Sequence, residues 1–250
     1  LEELWKYAAL FGVGAFAGFV NIMAGGGSTL TLPALIFLGL DGPTANGTNR
    51  VAILIQNISA VASFRSEKFS SFKLGFKMAA FTLPGAIAGA LFAAVIPDDL
   101  FRVILAFVLV GVAITMLIPK RKTPTTEFGA ETDPPWTLYL ALFGVGFYGG
   151  FIQVGVGFIL MLALHGLLKV SLARVNMHKV FIVLVYTIPA LVVFVVADLV
   201  RWDFGLTMAA GNAGGAWLSA KLAVRKGDKI VKWFVAAAVV VVSLKLIGAF

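Results

Sequence analysis

The chain has no cysteine, and only 13% of its 250 residues are charged. Without thiols there is no disulfide, no thiolate metal site and no cysteine nucleophile, and the redox compartment stays open. A soluble domain carries roughly 25% charged residues. With 60% hydrophobic residues and a mean hydropathy of +0.98, this composition is that of a membrane protein. Only two histidines occur, His165 and His178, and no Asp or Glu falls inside a long apolar run. Both scarcities bear on mechanism. They leave no cluster of His and carboxylates for a metal, and they weaken any proton relay built from buried acids. An intramembrane hydrolase would have only Ser28 or Ser59 near His178, neither in a recognisable motif, so neither an enzyme nor a cofactor is expected.

What the chain does have is apolar runs in a repeating order. The first half shows 5–22, a short run at 29–40, then 51–64, 78–96 and 102–118. The second shows 136–152, a short run at 158–168, then 180–197, 204–220 and 233–250. A short run of about a dozen residues covers about 18 Å, against a hydrocarbon core of roughly 30 Å. It fits a re-entrant or broken segment better than a straight span. Motifs recur with the same order. "GVGAFAGFVN" from Gly12 matches "GVGFYGGFIQ" from Gly144, and "ANGTNRVAILI" from Ala45 parallels "ARVNMHKVFIV" from Ala173. The small-residue stretch "PGAIAGA" from Pro84 pairs with "NAGGAWLSA" from Asn212. Residues 1–118 and 136–250 therefore form two related halves, joined by a polar, proline-rich linker at 119–135. The start, "LEELWKYAAL", is a poor match to a cleavable signal peptide, because acids precede its only lysine.

The net charge of +8 does not point to nucleic acid, because the basic residues sit in short connections between apolar runs. They form four clusters: Arg65 with Lys68, Lys73 and Lys77; Lys120 to Lys122; Lys169 with Arg174 and Lys179; and Lys221 to Lys232. "PDDLFR" at Pro97 and "DLVRWD" at Asp198 are acidic by contrast. Placing all four basic clusters in the cytoplasm gives one consistent path. Along it, the stretch from Leu4 to Leu40 starts and finishes outside, and the stretch from Trp136 to Leu168 starts and finishes inside. The two halves are thus expected to be inverted repeats, in an all-α polytopic protein with either eight full spans or six plus two re-entrant hairpins.

Glycine marks the front of each half. Gly12, Gly14 and Gly18, like Gly144, Gly146 and Gly150, have the spacing of close helix packing. The triple Gly25, Gly26 and Gly27, followed by Ser28, is different. Packing needs no such break, and bare backbone cannot face lipid, so these residues are expected to line a polar cavity. In transporters built from inverted repeats, broken helices meet at a mid-membrane substrate site, and their free N–H groups favour anions.

"GFVNIMAGGGSTLTLPALIFLGLDGPTANGTN" resembles the signature of the TauE/SafE family of sulfite and organosulfonate exporters. That signature comprises an asparagine, a glycine-rich break, a proline-containing apolar run and an Ala-x-Gly-Thr-Asn element. The resemblance extends over essentially the whole chain. It implies a secondary transporter of small sulfur-containing or related organic anions, such as sulfite or sulfoacetate, in a bacterial or archaeal cytoplasmic membrane. Asn21, Gly25 to Gly27, Thr48 and Asn49 are the matching positions. The second half departs from the pattern, since "VGVGFILMLAL" keeps only Gly155 and Gly157, and Asn176 stands where Thr48 aligns.

The few polar residues beside these motifs complete the candidate site. Arg50 and His178 hold equivalent places, each next to the start of an apolar run, and either could supply positive charge to an anion. Gln56 lies seven residues after Asn49, on the same helix face. Gln153 pairs with Asn21. Lys179 is assigned to topology, and His165 to the interface. The expected partners are thus a small anion, the lipid bilayer and a coupling ion, either a proton or sodium, with the oligomeric state open. A passive anion channel is the alternative, because the same donors would serve a pore.

Overall fold

The computed structural model describes residues 3–67, 72–117, 135–168 and 170–246, with the side chains of the last helix described as far as Val224. Among these residues there are nine α-helices and no strand. The first half holds α1 (Leu4–Ala24), α2 (Ser28–Phe37), α3 (Gly42–Ser66), α4 (Phe72–Val95) and α5 (Asp98–Leu117). The second holds α6 (Trp136–Phe151), α7 (Val156–Leu168), α8 (Leu172–Val196) and α9 (Trp202–Leu246). Most of the expected linker, residues 119–134, lies outside the described residues, as do Lys68, Lys120 to Lys122 and Lys169.

Local chemistry sets the boundaries. Gly25, at φ +88°, ends α1 in the left-handed conformation that a side chain disfavours. Asp41 caps α3 by accepting from the Thr44 amide at 2.9 Å, with Pro43 in the first turn. Ser171 caps α8 through the Arg174 amide. After α6 the chain passes through Gln153 at φ +59° and Gly155 at φ +71° before α7 begins.

One expectation is corrected here. The runs 204–220 and 233–250 predict separate helices, whereas α9 continues unbroken from the first into the second, as far as Leu246. The connecting "KLAVRKGDKIVKW" contains no proline, and its Gly227, a cost of about 1 kcal/mol, is flanked by good helix formers, so the helix is not stopped. At 1.5 Å per residue α9 is about 68 Å long, so only part of it can lie within one hydrocarbon core.

Among the described residues three helices, α1, α4 and α8, are long and apolar enough to cross a bilayer. Large apolar side chains cover the outside, among them Phe16, Phe107, Leu140 and Val192. A soluble protein does not leave such a surface in water. Trp5, Trp202 and Trp136 are exposed at the starts of α1, α9 and α6, and tryptophan is a residue type enriched at bilayer interfaces.

Contacts between helix ends fix how the chain runs. The Tyr7 hydroxyl donates to Asp203, the Arg201 amide donates to the Thr48 hydroxyl, and the Gly42 amide donates to Asp98. The starts of α1, α3, α5 and α9 therefore share one end, and Arg102 brings the Leu40 carbonyl there as well. At the opposite end Lys77 lies over the Tyr139 ring and Phe76 meets Phe181, which gathers the starts of α4, α6 and α8.

The halves exchange partners. α1 packs along α9 and α6 along α4, while α3 lies on α9, α8 on α4, and α3 against α8. The two outer interfaces match residue for residue. A Cβ on Gly14 or Gly18 would strike the backbone of Met208 or Asn212, and one on Gly146 or Gly150 that of Thr82 or Ala86. From the other side, Gly211 and Gly215 press on α1 as Gly85 and Gly89 press on α6. These glycines let the backbones touch. Gly85 and Gly89 thus correspond to Gly211 and Gly215, two residues away from the match that the sequence suggests. Gly12 and Gly144 face open space and take no part.

Candidate functional site

The two breaks meet. Gly25, where α1 ends, and Gly157, in the first turn of α7, touch through their backbones, so that a Cβ on Gly157 would lie 2.5 Å from Gly25 Cα. The Gly27 amide donates to Asn21 Oδ1 at 3.3 Å, which ties the start of α2 to the end of α1. Gly26 packs beneath the Phe158 ring, and Gly27 against Ala17 and Asn21. Both short helices begin here, at Ser28 and Val156. Their first-turn amides point toward the break with the positive ends of two helix dipoles.

Each break is held by a cation from the opposite half. Arg50 lies on α3, about 12 Å along that helix from Gly42, and is fully buried. Its guanidinium donates to the carbonyls of Gly149 (3.1 Å) and Gly150 at the end of α6, and to Gln153 Oε1 at 3.4 Å. Phe194 stacks on it at 4.7 Å. Lys179 lies on α8, about 10 Å along from Leu172, and is buried too. Its ammonium donates to the carbonyls of Asn21 (3.0 Å) and Ile22 (2.9 Å) at the end of α1, and to Asn176 Oδ1 at 2.9 Å. A positive group at the carbonyl end of a helix is where the dipole favours it.

This arrangement corrects the assignment of Lys179 to topology, since a topological charge belongs at the surface. In its contacts Lys179, rather than His178, is the structural counterpart of Arg50, since each donates to carbonyls at the end of a helix from the other half. His178 points to α4, its Nδ1 3.5 Å from where a Cβ on Gly75 would sit. One helical position, about 100°, separates the two side chains.

Between the breaks lies a cavity of about 10 Å³, room for about one water. Asn21, Ser28, Gln153 and Gly157 line it, together with Asn57, Lys179 and the apolar Ile22, Ile53, Val156 and Val183. Four of the residues expected from the sequence are therefore brought together on it, while Gly25 to Gly27 and Asn176 stand directly behind. Gln153 links the two sides, because it accepts from Arg50 and its amide donates to Thr187 at 3.4 Å. A non-glycine residue at positive φ is uncommon, and such strain concentrates at functional sites.

Other expected residues lie apart from the cavity lining. Thr48 accepts from the Arg201 amide at the α3–α9 contact. Asn49 and Gln56 are buried on α3, and their side-chain polar atoms have no hydrogen-bond partner among the described residues. Asn57 and Lys179 are the polar lining residues that sequence reasoning missed. Helical spacing held a signal for the second, because Asn176, Lys179 and Val183 fall at i, i+3 and i+7 on one face. His165 is half-buried at the end of α7, with Nδ1 3.0 Å from the Val170 carbonyl.

Chemically the arrangement offers the fixed positive charge of an ammonium held by neutral oxygens, and donors from two helix N-termini, a hydroxyl and amide side chains. Among the described residues no group of three or more metal-ligating side chains occurs.

Comparison with known proteins agrees with this picture. The sequence pattern of the family described as "Sulfite exporter TauE/SafE" matches residues 10–246. A protein of Sinorhizobium sp named "Probable membrane transporter protein ORF9" is 29% identical over 241 residues, covering 96% of this chain and 92% of its own. "Probable membrane transporter protein YfcA" of Escherichia coli K12 is 29% identical over 238 residues, covering 95% of this chain and 88% of its own. "Probable membrane transporter protein YjnA" of Bacillus subtilis is 24% identical over 246 residues, covering 94% and 96%. No solved structure matches. With apolar helices on the outside and two broken helices joined inside, this chain belongs to the TauE/SafE family of membrane transporters.

Proposed function

We propose that the chain is a multi-pass secondary transporter of the cell membrane that moves small sulfur-containing anions, such as sulfite or sulfonates, by alternating access. The observation that carries this reading is the position of Lys179. Its charge borders the cavity between the breaks, where the N-termini of α2 and α7 add donors of the same sign. An anion in that place gains from three sources of positive potential at once. Without them, desolvating it would cost far more than neutral hydrogen bonds return.

The inverted-repeat reading is supported by the reciprocal packing of α1 on α9 and α6 on α4, and by the starts of α1 and α6 lying at opposite ends of the bundle. The same exchange supports the alternating-access reading. Each half holds the broken helix of the other through one cation, so rocking the halves opens the centre to one side and then the other. The cavity is too small for a sulfonate as it stands, which makes this arrangement a closed state.

Counterflow in proteoliposomes tests the carrier. Sulfite or sulfoacetate on the far side should accelerate uptake of the labelled anion, and an unaffected rate would mean a channel. Thermal shift across sulfite, sulfoacetate, carboxylates and phosphate identifies the class, because only a bound anion stabilises in a concentration-dependent way.

A further inference from the structure

At the end of α1 three oxygens converge on one point. The carbonyls of Asn21 and Ile22 and Oδ1 of Asn176 lie 3.0, 2.9 and 2.9 Å from Lys179 Nζ. Two of them belong to the negative end of a helix dipole. The thioether of Met161, 3.8 Å away, adds a weak fourth acceptor. Carbonyls at the end of a broken membrane helix, joined by a side-chain oxygen, are what transporters use to coordinate a bare monovalent cation. Here the cation is attached to the chain. At the end of α6 the same replacement recurs, with the Arg50 guanidinium on the carbonyls of Gly149 and Gly150 and on Gln153 Oε1.

We infer that the cut ends of α1 and α6 are monovalent-cation sites filled by tethered cations, Lys179 and Arg50, so that neither end takes up a sodium ion. An ammonium has three protons, and three oxygens receive them. Lys179 therefore acts on the cavity through its charge, as a bound sodium ion would. Only the ammonium is compact enough to be exchanged for a free ion, because a planar guanidinium spans several acceptors. This deepens the transporter reading and depends on it only in treating such an ion as a coupling ion.

The test uses the purified full chain, melted in sodium chloride or in N-methylglucamine chloride at equal ionic strength. The natural protein should melt alike in both. Lys179→Ala and Lys179→Ser should melt lower in the organic salt. In about 200 mM sodium chloride they should recover by roughly 3 °C or more. Lys179→Arg, still charged, should be indifferent to the choice of salt. The inference is overturned if sodium stabilises the natural protein as much as the variants, or if both variants ignore sodium. It is overturned equally if neither variant can be recovered folded in sodium chloride, since the free ion should replace the ammonium. Counterflow on the natural protein keeps the two readings separate. Its absence would sink the transporter while leaving the sodium result intact.

Discussion

Gly25 and Gly157 touch backbone to backbone, and by that contact the two broken helices, which come from opposite halves of the chain, are joined where each changes direction. No side chain fits between them. A Cβ on either residue would overlap the other's main chain, which is not the movable end of a side chain.

Gly157→Ala should therefore push the breaks apart. The expected loss is about 1–3 kcal/mol of stability, the cost of overpacking, together with loss of transport. Gly25→Ala should cost more, because its left-handed φ adds about 1–2 kcal/mol for a residue with a Cβ. Gly26→Ala meets only the Phe158 ring, so Phe158→Ala in the same chain should restore much of its loss. Melting curves of the four proteins check this, and an unaltered Gly157→Ala would mean that the contact is unimportant.

Arg50→Gln leaves the last carbonyls of α6 without their charged donor. Stability should fall by on the order of 1.5–3 kcal/mol, the value of a hydrogen bond to a charged group. Arg50→Lys should recover part of this, since one ammonium cannot reproduce the planar fork across Gly149, Gly150 and Gln153. Denaturation of the three proteins in detergent measures both steps. Equal stability of Arg50→Gln and the natural protein would remove Arg50 from the break.

The exchanged helix pairs make a third comparison. Gly18→Ala and Gly150→Ala each drive a methyl group into opposing backbone and should destabilise by about 1–3 kcal/mol. Gly12→Ala and Gly144→Ala meet nothing within 4 Å and should gain up to about 1 kcal/mol from helix propensity. If all four behave alike, the packing of α1 on α9 and of α6 on α4 is wrong.

Because the chain has no cysteine, labelling of single introduced cysteines is free of background. Asp99→Cys and Asp203→Cys should react with an impermeant maleimide from outside intact cells. Lys73→Cys should react only after the membrane is opened. All three positions are exposed and lie at the ends of the bundle, so lack of access does not explain a negative result. Labelling of Lys73→Cys and Asp99→Cys from the same side would refute the inverted arrangement.

The sequence by itself determined the membrane class, most of the helices and the two breaks, because each depends on neighbours in the chain. Hydropathy summed over one span decides burial in lipid, and Gly25 to Gly27 interrupt a helix whatever surrounds them. Asn21, Gln153, Ser28 and Gly157 were legible as site candidates for the same reason, since polar groups and glycines inside apolar runs are few. The tertiary structure decided which groups share the centre. Lys179 and His178 are neighbours in sequence, yet about 100° of helix rotation sends one to the end of α1 and the other toward α4. Lys179 reads as a loop charge until α1, more than 150 residues away in the chain, supplies the carbonyls that make its burial tolerable. Likewise Arg50 looks like a helix-end residue, and only the reach of its guanidinium to the Gly149 and Gly150 carbonyls turns it into a cap for α6. A buried charge is placed by its partners, and the carbonyls that receive these two come from the other half of the chain.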